Sequence, residues 1–193
     1  MRKKEKFISI IFKNPQKESV INLMCDFLKG LIGNYIEPTF SNNILTVFFE
    51  AETDVDFEEI INSLNSDFYV VATLFESGEL YKNIDRNEYV KHIHAIGVKL
   101  LETTKLYFNE KELVKQGLHN EIVKNNILKE YYNDYEMKNV ISTYLENNMN
   151  VSQAANALYM HRNTVMNKIA KFIDVTGFDI KKFQNAFVIY QIL

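Results

Sequence analysis

The sequence predicts an α+β protein with a small N-terminal mixed sheet, helices on one face of that sheet, a helical connector and an all-α C-terminal domain. Over about the first 75 residues, short strand-like runs and helical apolar stripes alternate in the order β, α, β, β, α, β. After Gly78 the apolar residues recur only at helical spacing, so we expect no further strand. The 193 residues, 47% of them hydrophobic, are enough to bury a core.

The N-terminal pattern begins with a strand at residues 6–12 and a long amphipathic helix that opens near Pro15. Gly30 and Gly33 are expected to end this helix, because glycine is a poor helix former. The residues expected on its buried face are Val20, Leu23, Met24, Phe27 and Leu31.

A β-hairpin is predicted next. Its two strand-like runs, residues 35–40 and 44–51, are joined by Ser41, Asn42 and Asn43. Asparagine tolerates the positive φ that a tight hairpin demands, so this joining segment is suited to a turn.

A second helix and another strand complete the N-terminal pattern. Asp54 and Asp56 occupy positions typical of helix caps before an apolar stripe over residues 57–64, and residues 68–75 predict a strand. No linker rich in Pro, Gly or Ser follows. We divide the chain into residues 1–81, an α/β sensor or assembly domain; residues 82–136, a helical connector; and residues 137–193, a separate all-α domain.

Composition limits the class of protein. The uninterrupted apolar runs are strand-length, far below the roughly 20 residues of a membrane span. The basic start of the chain lacks the apolar core and cleavage site of a signal peptide, so we expect a cytoplasmic protein. Cys25 is the single cysteine, which excludes an intramolecular disulfide and a cysteine zinc site.

Charge is segregated along the chain. Residues 137–193 carry six Lys or Arg against three Asp or Glu, a net of +3. Residues 1–136 carry sixteen bases against twenty-two acids, a net of −6, so the whole chain is at −3. This distribution is what a basic nucleic-acid-binding segment on an acidic body requires.

Three amphipathic helices are predicted in the C-terminal segment. The first has an apolar stripe over residues 137–145, and Asn150 can cap the second. Ala154 and Ala155 on the second helix let another helix cross closely, as a helix-turn-helix requires. The third helix is expected to bury Val165, Ile169, Phe172 and Ile173 and to end at Gly177.

The opposite face of the third helix carries side chains suited to DNA. Asparagine bonds to adenine edges, threonine contacts the thymine methyl, and arginine or lysine reaches guanine or phosphate. The backbone N–H groups near Ser152 and Gln153 are expected to attract phosphates. Spacing alone equally fits the solvated face of an ordinary helical bundle. The residues on or beside this face are Arg162, Asn163, Thr164, Asn167, Lys168 and Lys171.

A sequence motif favours DNA binding. Residues 150–158, Asn-Val-Ser-Gln-Ala-Ala-Asn-Ala-Leu, followed by residues 161–165, His-Arg-Asn-Thr-Val, resemble the C-terminal helix-turn-helix of the PucR/CdaR regulators. Tyr-Leu-Glu at residues 144–146 and Thr-Gly-Phe-Asp at residues 176–179 continue the resemblance, which covers residues 122–193. It implies a bacterial transcription regulator that binds double-stranded DNA.

The resemblance implies several further features. It adds His161 to the expected DNA-contacting residues. It also implies that the N-terminal half is similar to a degenerate GGDEF-like domain without cyclase activity, since residues 41–45 hold no Gly-Gly pair and no acid. Family members usually have several arginines after the His-Arg-Asn-Thr segment, whereas residues 165–168 hold one cation, which implies weaker phosphate affinity.

No catalytic set, cofactor site or metal site is predicted, and we expect no enzyme. The acidic cluster at residues 50–59 fits solvated strand ends and a helix start better than a divalent-metal site. His92 and His94 diverge by about 200° on a helix and cannot share a metal, and His119 stands alone. No phosphate-binding loop fingerprint occurs.

The last predicted helix, residues 183–193, is apolar on more than one side. Two interpretations stay open, namely burial against the first helix of its own domain and a dimer interface. The leading hypothesis is a homodimeric DNA-binding regulator whose N-terminal domain senses a small-molecule effector or mediates assembly. The alternative is a protein-protein interaction module that retains a helix-turn-helix fold, and an enzyme working from the sheet is the least favoured.

Overall fold

The computed structural model describes residues 4–33, 38–52, 55–67 and 70–193. The chain divides into two compact units, Met1–Leu113 and Val114–Leu193. The elements of the first unit, in chain order, are β1 (Glu5–Phe12), α1 (Glu18–Ile32), β2 (Thr39–Ser41), β3 (Ile44–Glu50), α2 (Phe57–Asp67), β4 (Ala72–Glu76), α3 (Arg86–Leu101) and β5 (Tyr107–Asn109). The short helix α4 (Glu110–Lys115) follows β5 and spans the division along the chain.

The strands form one mixed sheet in the order β2-β3-β1-β4-β5. β1 lies at its centre and pairs antiparallel with β3 and with β4, so that Phe7 lies opposite Phe48 and Ile10 opposite Leu74. β5 joins β4 in parallel. The predicted hairpin between β2 and β3 is confirmed, with the left-handed residues Asn42 and Asn43 at φ 51° and 60°.

Helices cover both faces of this sheet. The prediction that the first two helices share a face is confirmed, since α1 and α2 pack in one apolar core with alternate residues of β1, β3 and β4. α3 lies on the opposite face, where the rings of Phe7 and Tyr89 meet edge to face with centroids 5.1 Å apart. Gly97 permits this close packing, because a Cβ there would lie 3.3 Å from Cγ2 of Ile11.

Two sequence predictions for this unit are wrong. β5 is a strand that follows Gly78, and its three residues are too few to show a strand pattern. The face of α1 predicted from Leu23, Phe27 and Leu31 is exposed. Met24 of the predicted set is buried, and the other residues of α1 that are buried against the sheet are Ile21, Leu28 and Ile32 on the neighbouring face.

One predicted helix cap of the first unit is confirmed. The side chain of Asp56 accepts the N–H of Glu59 at 3.0 Å and thereby caps α2, as predicted. Asp85 caps α3 by accepting the N–H groups of Asn87 and Glu88. The predicted cap Asp54 and the predicted strand residues 35–37 and 68–69 lie outside the described residues.

The second unit is helical, and its predicted helices are confirmed. A 3-10 turn at Lys129–Tyr131 joins the first helix of this unit to the second. The division at residues 81 and 136 stays a prediction. No helix in the part of the chain that the structure describes is long and apolar enough to cross a membrane. The helices of the unit are α5 (Glu121–Leu128), α6 (Tyr135–Glu146), α7 (Val151–Ala157), α8 (Arg162–Thr176) and α9 (Phe183–Ile192).

Candidate nucleic-acid interface

α6, α7 and α8 pack against one another in a three-helix arrangement. Ala154 and Ala155 of α7 are buried, and their small side chains allow the close crossing that the sequence predicts. Phe172 of α8 is also buried and stacks on Tyr131, with ring centroids 5.6 Å apart. This core fixes the direction in which α8 presents its outer face.

The turn between α7 and α8 is tight and contains a left-handed residue. Tyr159 has a φ of 53°, and its N–H donates to the carbonyl of Asn156 at 3.2 Å. The N–H of Met160 donates to the carbonyl of Ala155 at 2.9 Å. The Tyr159 side chain is 98% exposed, so it adds an aromatic group to the surface beside the start of α8. Sequence reasoning missed this residue, because an aromatic side chain in a turn gives no periodic signal.

His161 caps the N-terminus of α8. Its Nδ1 accepts the backbone N–H of Asn163 at 3.2 Å, so the neutral ring carries its proton on Nε2. The Nε2–H group is therefore a donor on an exposed side chain at the leading end of the helix. At the other end, Gly177 adopts the predicted left-handed cap with φ 76°.

The predicted outer face of α8 is exposed. Met166 and Ala170 are exposed as well, although the sequence did not single them out. Val165 and Ile169 are buried on the opposite side, so the helical projection is confirmed. The predicted residues that the structure places on this surface are Arg162, Asn163, Thr164, Asn167 and Lys171.

Lys168 differs from Lys171. Its Nζ lies 2.9 Å from Oε1 of Glu136 on α6, and its side chain is 23% exposed. Lys171, three residues further along the helix, is exposed and makes no ion pair among the described residues. The two lysines therefore offer different amounts of free positive charge to an external anion.

The start of α7 is capped by Asn150. Its Oδ1 accepts the N–H groups of Ser152 at 3.0 Å and of Gln153 at 3.2 Å. The predicted attraction of phosphate to these amides therefore competes with an internal acceptor. The side chains of Ser152 and Gln153 are exposed and available as hydrogen-bond donors.

One group of polar side chains in the first unit joins α3 to the sheet. Nε2 of His94 lies 3.3 Å from the hydroxyl of Thr46, which in turn lies 3.0 Å from the hydroxyl of Ser9. Burial lowers the pKa of His94 below its usual value. Across the residues that the structure describes, no three His, Cys, Asp or Glu side chains converge as a metal site.

These features define the class of the second unit, a helix-turn-helix in which α7 supports α8 across a short turn. Residues 138–193 match the family model of the PucR C-terminal helix-turn-helix domain, so this part of the chain is a PucR-type domain. The resemblance inferred from the motif at residues 150–165 is confirmed.

Two known proteins are similar to the chain over greater lengths. The uncharacterized protein YxkF of Bacillus subtilis (strain 168) is 28% identical over 155 residues, which are 72% of this chain and 50% of that protein. The match thus spans half the length of this relative. The crystal structure of a regulator of polyketide synthase expression from Bifidobacterium adolescentis covers all of this chain and 80% of its own, with a TM-score of 0.51 at 14% identity. At this identity the likeness concerns the fold.

Proposed function

We propose that the protein is a DNA-binding transcription regulator that reads the major groove with helix 162–174. The observation that carries the proposal is the outer face of the capped helix α8, on which Arg162, Asn163, Asn167 and Lys171 are all exposed. The PucR-type domain at residues 138–193 supports this function, and so does the fold likeness to the regulator from Bifidobacterium adolescentis. In a bacterial cell such a regulator works in the cytoplasm, where its DNA lies.

The side chains of this face suit base recognition. Asn163 and Asn167 lie one helical turn apart, and each amide offers the donor and acceptor pair that adenine presents in the major groove. Thr164 supplies a methyl group for thymine contact, and Arg162 reaches guanine at the leading end. Asp174 is the acid on this side, and it lies at the far end of α8.

Phosphate contacts are assigned to the flanks of the reading helix. Lys171 supplies charge, and the Nε2–H of His161 and the side chains of Ser152 and Gln153 supply neutral donors. The contribution of Lys168 is smaller, because Glu136 already neutralises it. Such neutral donors place the domain on the duplex, while Asn163 and Asn167 read its sequence.

We further propose that the protein acts as a homodimer and that its N-terminal unit senses a small-molecule effector or mediates assembly. One reading helix contacts few base pairs, and two-fold pairs of such helices usually bind half-sites about 34 Å apart. The N-terminal unit has its own sheet and two-sided core, which supports an independent role.

The experiment is fluorescence anisotropy with double-stranded genomic fragments at several salt concentrations. We expect binding that weakens as salt rises, and a further loss in Arg162→Ala and Lys171→Ala. Lys99→Ala, which removes an exposed lysine from α3 of the first unit, is the matched control and is expected to bind as the wild type does. Absence of salt-sensitive binding, or unchanged binding in both cation variants, contradicts the proposal.

A second candidate function is protein recognition by the same face. The exposed Tyr159 before α8 and Met166 on α8 favour it, since aromatic and methionine side chains are enriched at protein interfaces. Pull-down from a nuclease-treated lysate tests this function. A stoichiometric protein partner that no longer binds Met166→Ser, together with no DNA binding, would replace the first proposal.

A further inference from the structure

The last helix of the second unit presents an aromatic stripe on its outer side. Phe183, Phe187 and Tyr190 recur at i, i+4 and i+7, and they are 73%, 43% and 54% exposed. The rings of Phe183 and Phe187 stack with centroids 6.3 Å apart. We call these three residues the α9 stripe.

The other side of α9 is already used by its own domain. Val188, Ile189 and Ile192 are buried, and α9 packs on α6. Burial against the first helix of the domain, one of the two options left open by the sequence, therefore accounts for the inner side of α9. It does not account for the α9 stripe, and contiguous exposed aromatics of this kind are typical of interaction surfaces.

We propose that the α9 stripe is the two-fold interface at which a second copy of this chain docks, with the two α9 helices antiparallel. The inference rests on the proposed function, which needs two reading helices held in a fixed relation. A two-fold axis near Phe187 brings this side chain against its own copy. Phe183 then lies opposite Tyr190 of the second copy.

Charge favours a second copy over a charged partner. α9 contains no charged residue, so two copies bring no like charges together along the helix. Lys181 and Lys182 directly precede Phe183, at the positive end of their own helix dipole, where cations are unfavourable. Neither lysine forms an ion pair among the described residues. In the antiparallel arrangement, both lie beside the C-terminal carbonyl groups of the second copy's α9, where cations are favourable. A parallel pair would lack this complementarity.

A second apolar stripe in the first unit provides a matched control. Leu23, Phe27 and Leu31 of α1 are exposed beside a shallow apolar pocket that includes Val20 and Leu64. Phe27 is 45% exposed, close to the value for Phe187. The same substitution at these two phenylalanines therefore compares the two stripes at equal exposure.

The first experiment measures the mass of the full 193-residue chain by light scattering after size-exclusion chromatography. We expect a dimer for the wild type and for Phe27→Lys, and a monomer for Phe187→Lys with an unchanged circular-dichroism spectrum. A wild type that stays monomeric at high concentration, a Phe187→Lys chain that stays dimeric, or a Phe27→Lys chain that becomes monomeric overturns the inference.

A mixing experiment separates loss of the interface from loss of the fold. Phe187→Lys and Phe187→Glu are each expected to be monomeric, and an equimolar mixture is expected to form a heterodimer, because opposite charges then meet at the two-fold axis. Failure of the mixture to dimerise overturns the inference. These masses are measured without DNA, so a dimer that depends on Phe187 but binds no DNA contradicts the proposed function and leaves the interface standing.

Discussion

Glu136 on α6 holds Lys168 on α8, with Oε1 and Nζ 2.9 Å apart. The ion pair links the first helix of the domain to the helix that carries the proposed reading face. It also withdraws one of the few cations of α8 from the solvent, since the Lys168 side chain is 23% exposed. Glu136 lies on α6 and not on the reading helix α8. A contact between two helices therefore lowers the free positive charge of α8.

Unequal roles of the two lysines give the first prediction. Lys171→Ala should lower DNA affinity and reduce the slope of log affinity against log salt by about one for each phosphate that the lysine no longer neutralises. Lys168→Ala should change the slope less, because Glu136 already neutralises that charge. Glu136→Gln should raise affinity by freeing Lys168. Anisotropy titrations of the three variants at matched salt check this order, and equal slopes for both lysine variants contradict it.

His161 should contribute to stability as a helix cap. His161→Ala removes the acceptor for the Asn163 N–H and is expected to lower the free energy of unfolding by about 1 kcal/mol. His161→Asn restores a capping side chain and should recover most of the loss. Thermal unfolding followed by circular dichroism measures both variants. Equal stability of the Ala and Asn variants would show that the cap is not needed.

The left-handed conformation of Tyr159 predicts a stabilising substitution. Asparagine accepts positive φ more readily than tyrosine, and the exposed ring loses little packing when it is removed. Tyr159→Asn should therefore raise the free energy of unfolding by about 1 kcal/mol. Tyr135→Asn, a change at an exposed tyrosine on α6, is the control and should give no such gain. A lower stability of Tyr159→Asn than of the wild type would mean that the ring makes a stabilising contact.

Burial of His94 predicts a loss of stability in acid. Its folded pKa lies below the unfolded value of 6.5, so the unfolded chain binds the proton first as the pH falls. The sheet should lose stability from about pH 6.5 down to the folded pKa, and His94 should have no such effect above that window. Hydrogen exchange of the β1 and β3 amides at pH 7.5 and 5.5 measures the change. In His94→Gln, the sheet should lose less stability between pH 7.5 and pH 5.5 than it does in the wild type. If the variant loses as much stability as the wild type, groups other than His94 cause the loss.

The sequence predicted a feature correctly where the local residue pattern was compatible with a single local structure. The Asn42-Asn43 turn, the Asn150 cap and the Gly177 cap each depend on local backbone chemistry, and all are found. The buried stripe of α8 was also predictable, because its apolar residues lie on one side and its polar residues on the other.

The sequence did not predict the structure where a helix has apolar residues on two faces, or where contacts between distant parts of the chain determine the structure. α1 carries apolar side chains on neighbouring faces, and only the approach of the sheet selects Ile21 and Leu28 over Leu23 and Phe27. The pairing of Lys168 with Glu136 joins residues 32 positions apart and leaves no mark on the helical projection. β5 depends on the edge that β4 offers, because a strand of three residues has no period of its own.

Methylation interference on a selected DNA site tests whether α8 reads the major groove. A site enriched from random duplexes is treated with dimethyl sulfate, which methylates guanine N7 in the major groove and adenine N3 in the minor groove, before binding is measured. We expect two half-sites about one helical turn apart, in which guanine N7 methylation abolishes binding and adenine N3 methylation does not. Interference confined to adenine N3, or an unchanged guanine N7 pattern in Arg162→Ala, would contradict reading of the major groove by α8.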